Sequence, residues 1–346
     1  MSIALRVVAA GACASIQDAG RFGFRRIGVP WSGVLDRRLM RIANHLVGNE
    51  ENAPVVECFD GGQQFAAAGA SLRIAIAGNA VLEVEDDAGR RQVASWRSLI
   101  LEPGQALRIA HISPGRIAVL AVSGMTVPPV MGSASTYARA ALGGFHGRAL
   151  QAGDEIGASA TTAGAGRMLT HPPEPSTGAI RVVPGPQHDH FDSSFWSIFT
   201  SSHYEVSRAA DRMGVRLEGP PLRHLAHHGH EIVSDATVPG SIQVPGTGLP
   251  VVLLADAQTA GGYPKVATVI SADLARIAAS PPDSTIRFAA IGAHEAQRIA
   301  RDEERLTRAL LEAIRPIPGE GLDLDALYSG NLVDGVVNAL SPEQSR

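Results

Sequence analysis

Lys265 is the only lysine among 346 residues; every other basic side chain in the set of 30 lysines and arginines is an arginine. A chain that writes arginine wherever a solvated positive charge suffices, and lysine once, marks a place where a guanidinium would not serve. An ammonium on a flexible stem is compact and can be moved toward neutrality by burial, whereas arginine is bulky, planar and always charged. The chemistry this suggests is a tight anion site, stabilisation of a developing negative charge, or proton donation. The neighbours suit that use. Asp256 to Lys265 reads D-A-Q-T-A-G-G-Y-P-K. Gly261 and Gly262 permit close approach of backbone to a ligand, Pro264 fixes the chain before the lysine, and Asp256, Gln258 and Tyr263 supply polar groups. The competing reading is a surface lysine left over in an arginine-rich composition.

Other chemistries have weaker support. His224, His227, His228 and His230 crowd together, and His188 and His190 flank Asp189, so metal ligation is conceivable from spacing alone. The pattern matches no recognised metal signature, and a polar surface loop is the simpler expectation; no metal is expected. A lysine among serines could serve a Ser-Lys amidase, but neither a Gly-Gly-Ser-Ser-Gly-Gly run nor G-x-S-x-G is present. A phosphate-binding G-x-x-x-x-G-K-[ST] loop is also absent. Lys265 is not a biotin acceptor by its surroundings, since Pro-Lys-Val stands where Met-Lys-Met is expected.

The elements that must position these residues are mainly strands. With 45% hydrophobic and 18% charged residues the chain can bury a large core, and 37 glycines, 22 prolines and few aromatics favour short strands and turns. A net charge of −4 leaves no footprint for nucleic acid or an anionic membrane. No apolar run is long enough to span a bilayer, and residues 3–9 read as a first strand rather than a leader, so the cytoplasm is the expected location. Cys13 and Cys58 read as small buried hydrophobes. The Gly-rich, charged stretch 15–33 reads as a functional loop, and Asp36 caps a helix running to about Val47 that ends at Gly48 and Asn49. Strands follow at Val55–Phe59, Leu72–Ala77, Ala80–Val84, Leu99–Leu101, Ala106–Ile109 and Ile117–Val122, a spacing that suits a barrel or sandwich. The second half is patterned in the same way, with strands at Ile180–Val183 and Val251–Ala255 and a short helix to about Phe199. A helix is expected from Ala293 to about Arg315, its stripe made of Ala296, Ile299, Leu306, Leu310 and Ile314, and a second over Leu322–Leu340. The divisions are a first β domain at 1–160, a linker at 161–178, a second β domain at 179–292 and a helical extension at 293–346.

Five blocks of sequence resemble one family. S-I-Q-D-A-G-R-F-G from Ser15, then Ser32-Gly33, Asp36 and Asn44; Gly132-Ser133-Ala134-Ser135-Thr136; Gly143-Gly144 to Arg148; Asp211-Arg212-Met213-Gly214-Val215-Arg216-Leu217; and the decapeptide ending at Lys265 are similar to the signatures of the biotin-dependent carboxyltransferase family, also described as the 5-oxoprolinase C subunit or allophanate hydrolase subunit 2 and related to urea amidolyase. Ala134 stands where that family usually writes arginine and Ala260 where it writes threonine, which points to a changed substrate. The resemblance implies two tandem cyclophilin-like β-barrel halves plus C-terminal helices. It implies a hydrolase or carboxyltransferase that works on a cyclic or linear amide within an ATP-dependent complex of several chains, first of all in opening 5-oxoproline to glutamate. The alternatives are the carboxyltransferase component of a biotin-dependent urea or amide carboxylase, and a non-catalytic regulatory partner of the small subunit.

On that reading this chain alone binds no cofactor, and ATP, with biotin in the carboxylase branch, comes through partner subunits. The expected partners are a small-subunit homologue (the B-type chain, or allophanate hydrolase subunit 1 type) and either an A-type 5-oxoprolinase chain or a biotin carboxylase. Lys265 is cast as oxyanion stabiliser or proton donor, and Tyr263, Gln258 and Gln243 as orienting substrate beside Gly261 and Gly262. Asp235 and Asp256 would position the lysine or act as base. Arg148 and the loop Ser133, Ser135 and Thr136 would form an anion-binding edge from the first half.

Overall fold

A computed structural model describes residues 3–161 and 164–318. The protein is mainly β, with four helices among the described residues. In the first half two antiparallel sheets face each other. One has six strands in the order Glu155–Gly157, Ala4–Ala10, Gln63–Ala68, Ala106–Ile112, Ala80–Asp86 and Gly89–Val93. The other has five: Cys13–Gln17, Val55–Phe59, Ile117–Val122, Leu72–Ala77 and Ser98–Leu101. Leu5, Val7, Phe65, Leu82, Leu107 and Ile109 of the first sheet close on Val56, Cys58, Ile74, Ile76 and Leu120 of the second.

The five-stranded sheet is buried on both faces, which explains why Ile117–Val122 is apolar at every position: Ala118, Leu120 and Val122 face the first core, while Ile117, Val119 and Ala121 face a second. Helix α1 (Arg37–Val47) covers this second face with Leu39, Met40, Ile42, Ala43, Leu46 and Val47. Its ends follow from the sequence. The Asp36 carboxylate accepts from Leu39 N at 3.0 Å, and Gly48 terminates the helix at φ 82°, a conformation that glycine adopts without a Cβ penalty.

The second half is built on an eight-stranded sheet that nearly closes into a barrel, in the order Thr285–Ile286, Tyr204–Val206, Gly214–Glu218, Val251–Leu253, Ser241–Gln243, Lys265–Val269, Ile180–Pro184 and Phe288–Ala290. Helix α2 (Phe195–Ser201) packs Phe199 against Phe288 with ring centroids 4.5 Å apart, and α3 (Ser271–Ala278) inserts Ile277. This core runs without a break into the one beneath α1. Helix α4 (Ala293–Glu312) follows. Its inward face differs from the expected stripe: Leu306 is 56% exposed, and Thr307 turns inward instead, its hydroxyl donating to Glu303 O at 2.8 Å. Ile314 lies beyond the helix, in strand Ile314–Pro316, which pairs with Arg167–Leu169 inside the stretch read as linker. The helix expected over 322–340 lies outside the described residues.

One buried ionic group ties the halves together. Arg212 of the second half donates to Glu57 Oε1 and Gly33 O of the first and to Asp256 Oδ2 at 2.9 Å in its own. Glu57 is fully buried on strand Val55–Phe59 and also accepts from Leu35 N at 2.6 Å. Burial raises the Glu57 pKa although Arg212 opposes the rise. For Arg212 burial works against the charge, but Glu57 and Asp256 outweigh it and the pKa goes up. Removing one member of such a group strands the others without compensation, at a cost of about 3–5 kcal/mol. Arg212→Met is therefore expected to lose about that much stability in urea unfolding, and Asp36→Ala about 1 kcal/mol through its lost cap.

Candidate active site

Lys265 opens the strand Lys265–Val269, which runs between Ser241–Gln243 and Ile180–Pro184 in the middle of the second sheet. Its register partner is Gln243, reached through a shift between Ile242 and Gln243. Such a bulge re-aims the side chains beside it. The lysine is 3% exposed, and its Nζ donates to Asp235 Oδ2 at 2.9 Å. Asp235 sits on a two-residue strand, Asp235–Ala236, paired with Ala260–Gly261 so that Asp235 lies opposite Gly261. Its side chain is 49% exposed. Hydrogen bonds from Lys265 first, then from Gln187 and Ala236 N, hold the Asp235 carboxyl below the usual carboxylate range. A dry ammonium is thus tethered to a carboxylate that opens to solvent.

Around this pair the structure gathers several residues singled out from sequence. Gln243 is 3% exposed; its Oε1 accepts from Gln258 Nε2 at 3.3 Å, and its own Nε2 is buried with no protein partner. Gly261 lies against that amide so closely that a Cβ would stand 2.4 Å from Gln243 Nε2, so any larger residue there would push the Gln243 amide aside. The Gly262 carbonyl accepts from Ile232 N at 2.8 Å, and Tyr263 is 40% exposed on the same turn. Asp256 takes a different place. Its carboxylate is on Arg212 rather than on Lys265, although it stands only nine positions before the lysine.

The first-half residues have local partners. The hydroxyls of Ser133 and Ser135 donate to Asp18 Oδ1, Ala134 N donates to Asp18 Oδ2 at 2.7 Å, and Thr136 donates to Ile16 O at 2.9 Å. Arg148 forms a two-pronged pair with Asp154, both contacts at 2.7 Å. Arg21, fully buried, donates to the carbonyls of Val130, Ser133 and Ser135. The loop 133–136 is thereby braced from within. A cleft of about 1190 Å³ opens between the halves, walled in part by Phe22, Trp31, Val238, Pro239 and Leu274, and Lys265 is not in its lining. The Arg25 guanidinium donates to Thr237 O across the halves. The histidines stack rather than converge: His190 lies 4.4 Å from His228 between centroids, and His224 Nε2 sits 3.0 Å from Val244 O. No group of three or more His, Cys, Asp or Glu side chains among the described residues is arranged to hold a metal ion, and no described helix is long and apolar enough to cross a membrane.

Sequence reading gave no role to Gln187 or Glu57, and named Arg212 only as part of a motif. A signal existed for Glu57, a lone acid in the apolar run Val-Val-Glu-Cys-Phe. Gln187 stood in plain view in Pro-Gly-Pro-Gln but reads there as part of a turn.

Known proteins share this arrangement of strands and motifs. The family model of the carboxyltransferase domain, subdomain A and B, matches residues 27–290. The chain is 36% identical over 316 residues to the 5-oxoprolinase C subunit of Escherichia coli K12, a match covering 87% of this chain and 96% of that protein. The corresponding 5-oxoprolinase chain of Haemophilus influenzae is likewise 36% identical, over 89% of this chain and 96% of its own length. Among solved structures, the K. lactis urea amidolyase superposes with a TM-score of 0.79 at 27% identity, covering 93% of this chain and 20% of that one. Family match, length and fold agree, and the chain belongs to the carboxyltransferase-domain family of subdomains A and B.

Proposed function

We propose that this chain is the C-type component of an ATP-dependent, cytoplasmic amide-processing complex that opens 5-oxoproline to glutamate, with Lys265 as its working cation. The observation that carries this reading is the buried Lys265 ammonium paired with Asp235 in a chain similar to the 5-oxoprolinase C subunit along nearly all of that protein's length. Opening a lactam adds water across the C–N bond: oxygen goes to the carbonyl carbon and a proton to the nitrogen. Negative charge grows on the carbonyl oxygen on the way. A preorganised ammonium in a site shielded from water stabilises that charge without having to reorient. Asp235 balances the ammonium and keeps its position, Gln243 and Gln258 orient the amide, and Tyr263 closes the exposed side. Arg148 and the loop Ser133, Ser135 and Thr136 support the first-half face through their own local bonds. ATP enters through an A-type partner, with a small B-type chain completing the assembly.

A second reading is favoured by the fit to urea amidolyase: the chain would be the carboxyltransferase part of a biotin-dependent carboxylase, again with Lys265 stabilising charge on an amide or urea. A regulatory partner without catalysis is the third, and it would tolerate exchange of one cation for another at position 265.

The deciding experiment reconstitutes the chain with its small B-type and larger A-type partners and follows ATP hydrolysis dependent on 5-oxoproline, with urea plus a biotin carboxylase component in parallel. Turnover on 5-oxoproline is expected, and Lys265→Arg should cut it on the order of 100- to 1000-fold, the scale for losing one oxyanion contact. Full turnover with Lys265→Arg would sink the catalytic role of the lysine. Turnover only in the urea arm would transfer the chain to the carboxylase branch.

A further inference from the structure

Gln187 makes contacts that no role described so far uses. It ends the turn Pro184-Gly185-Pro186-Gln187, which leaves strand Ile180–Pro184 and folds back over the start of strand Lys265–Val269. Two prolines restrict the backbone there. Gly185 is pressed so close that a Cβ would lie 2.2 Å from Lys265 O, and its N–H donates to Val266 O at 2.8 Å. The Gln187 backbone N–H donates to Lys265 O at 3.3 Å. Its side chain then turns toward the site: Oε1 accepts from Lys265 N at 3.1 Å and Nε2 donates to Asp235 Oδ2 at 3.2 Å. That carboxylate oxygen is the one that receives Lys265 Nζ.

We propose that Gln187 is a positioning residue for the Lys265 site, spanning the lysine's own backbone and the carboxylate that pairs with its ammonium and so fixing where the ammonium points. The inference rests on reading Lys265 as the working cation. The residue type fits the task. Lys265 N needs an acceptor and the Asp235 carboxylate needs a donor; a primary amide offers one of each, while a glutamate in its place could only accept and would repel Asp235. Asp235 needs the support, because it stands half-exposed on a two-residue strand and, among the described residues, its other oxygen is held by Ala236 N alone, at 2.8 Å. Lys265 is the one charged side chain the structure places on Asp235 among the described residues, and Gln187 is the neutral one.

A chain with a single lysine gives a direct readout. Labelling lysine with carbon-13 at Cε yields one side-chain resonance, and acid titration of the intact protein reports protonation of Asp235 through it. The Asp235 carboxyl is held low by Lys265 first and by Gln187 second. The pair is therefore complete above that depressed value and lost as pH falls through it. Gln187→Met, similar in size but without a donor, is expected to move the step to higher pH, and Gln187→Glu to move it further; Asp235→Asn should abolish it. If Gln187→Met does not fold, Gln187→Glu carries the same test. A step unmoved by either variant, with Asp235→Asn lacking it, would overturn the role of Gln187 and leave the ion pair standing. A step that survives Asp235→Asn would remove the ion pair itself, and with it both the positioning role and the site reading beneath.

Discussion

The Arg212 guanidinium, held between Glu57 of one half and Asp256 of the other, is the contact on which the remaining geometry turns. The apolar core continuous across the halves supplies area, but apolar contact is non-directional and tolerates small slides. A buried guanidinium with a carboxylate on either side does not. Its desolvation is offset only when each donor meets its acceptor, so Glu57, the Gly33 carbonyl and Asp256 must arrive together. The strand Val55–Phe59 accordingly turns its one acid toward the second half. The loop around Ser32 and Gly33 is caught at the same point, with Ser32 N donating to Ala255 O at 3.1 Å.

From that point order propagates to the lysine. Asp256 begins the segment that carries Gln258, Gln258 holds Gln243, and Gln243 lies in register with Lys265. The first step is the turn after strand Val251–Leu253; the other two are an amide pair and a strand register. A cation that must stabilise charge gains from such rigidity, because a preorganised dipole or charge has no reorganisation left to undergo at the moment of reaction. The single lysine also suits its burial: at 3% exposure a compact ammonium on a flexible stem is easier to place than a bulky, planar guanidinium.

Much of the fold was legible in local chemistry. Asp36 and Gly48 bounded α1 because caps and left-handed glycines have few alternative uses, and Val55–Phe59 and Ile117–Val122 announced themselves as runs too apolar to be exposed. Strands Gln63–Ala68 and Gly89–Val93 did not. The first is rich in alanine, and the second, Gly-Arg-Arg-Gln-Val, lies exposed at a sheet edge where polar residues are tolerated. At the site, Lys265 stood out by its rarity, and Asp235 was named only as a candidate to position the lysine or act as base. Proximity in sequence suggested Asp256 as a companion of the lysine, yet the pairing of Gly214–Glu218 with Val251–Leu253 brings Arg212 beside Asp256, a tertiary fact that no local pattern encodes. The partners of Arg148, Ser133 and Ser135, which are Asp154 and Asp18, likewise become evident only once the chain is folded.

Helix α4 reaches back to the first half through a different kind of bond. Arg41 meets Glu304 at 2.8 Å and Arg38 meets Glu303 at 3.4 Å, all four side chains partly open to water. Pairs of this kind are worth less than about 1 kcal/mol each and weaken as counterions crowd them. These two kinds of contact therefore answer differently to ionic strength: concentrated salt loosens the outer clasp of α4 on α1 and leaves the sealed Arg212 contact nearly untouched.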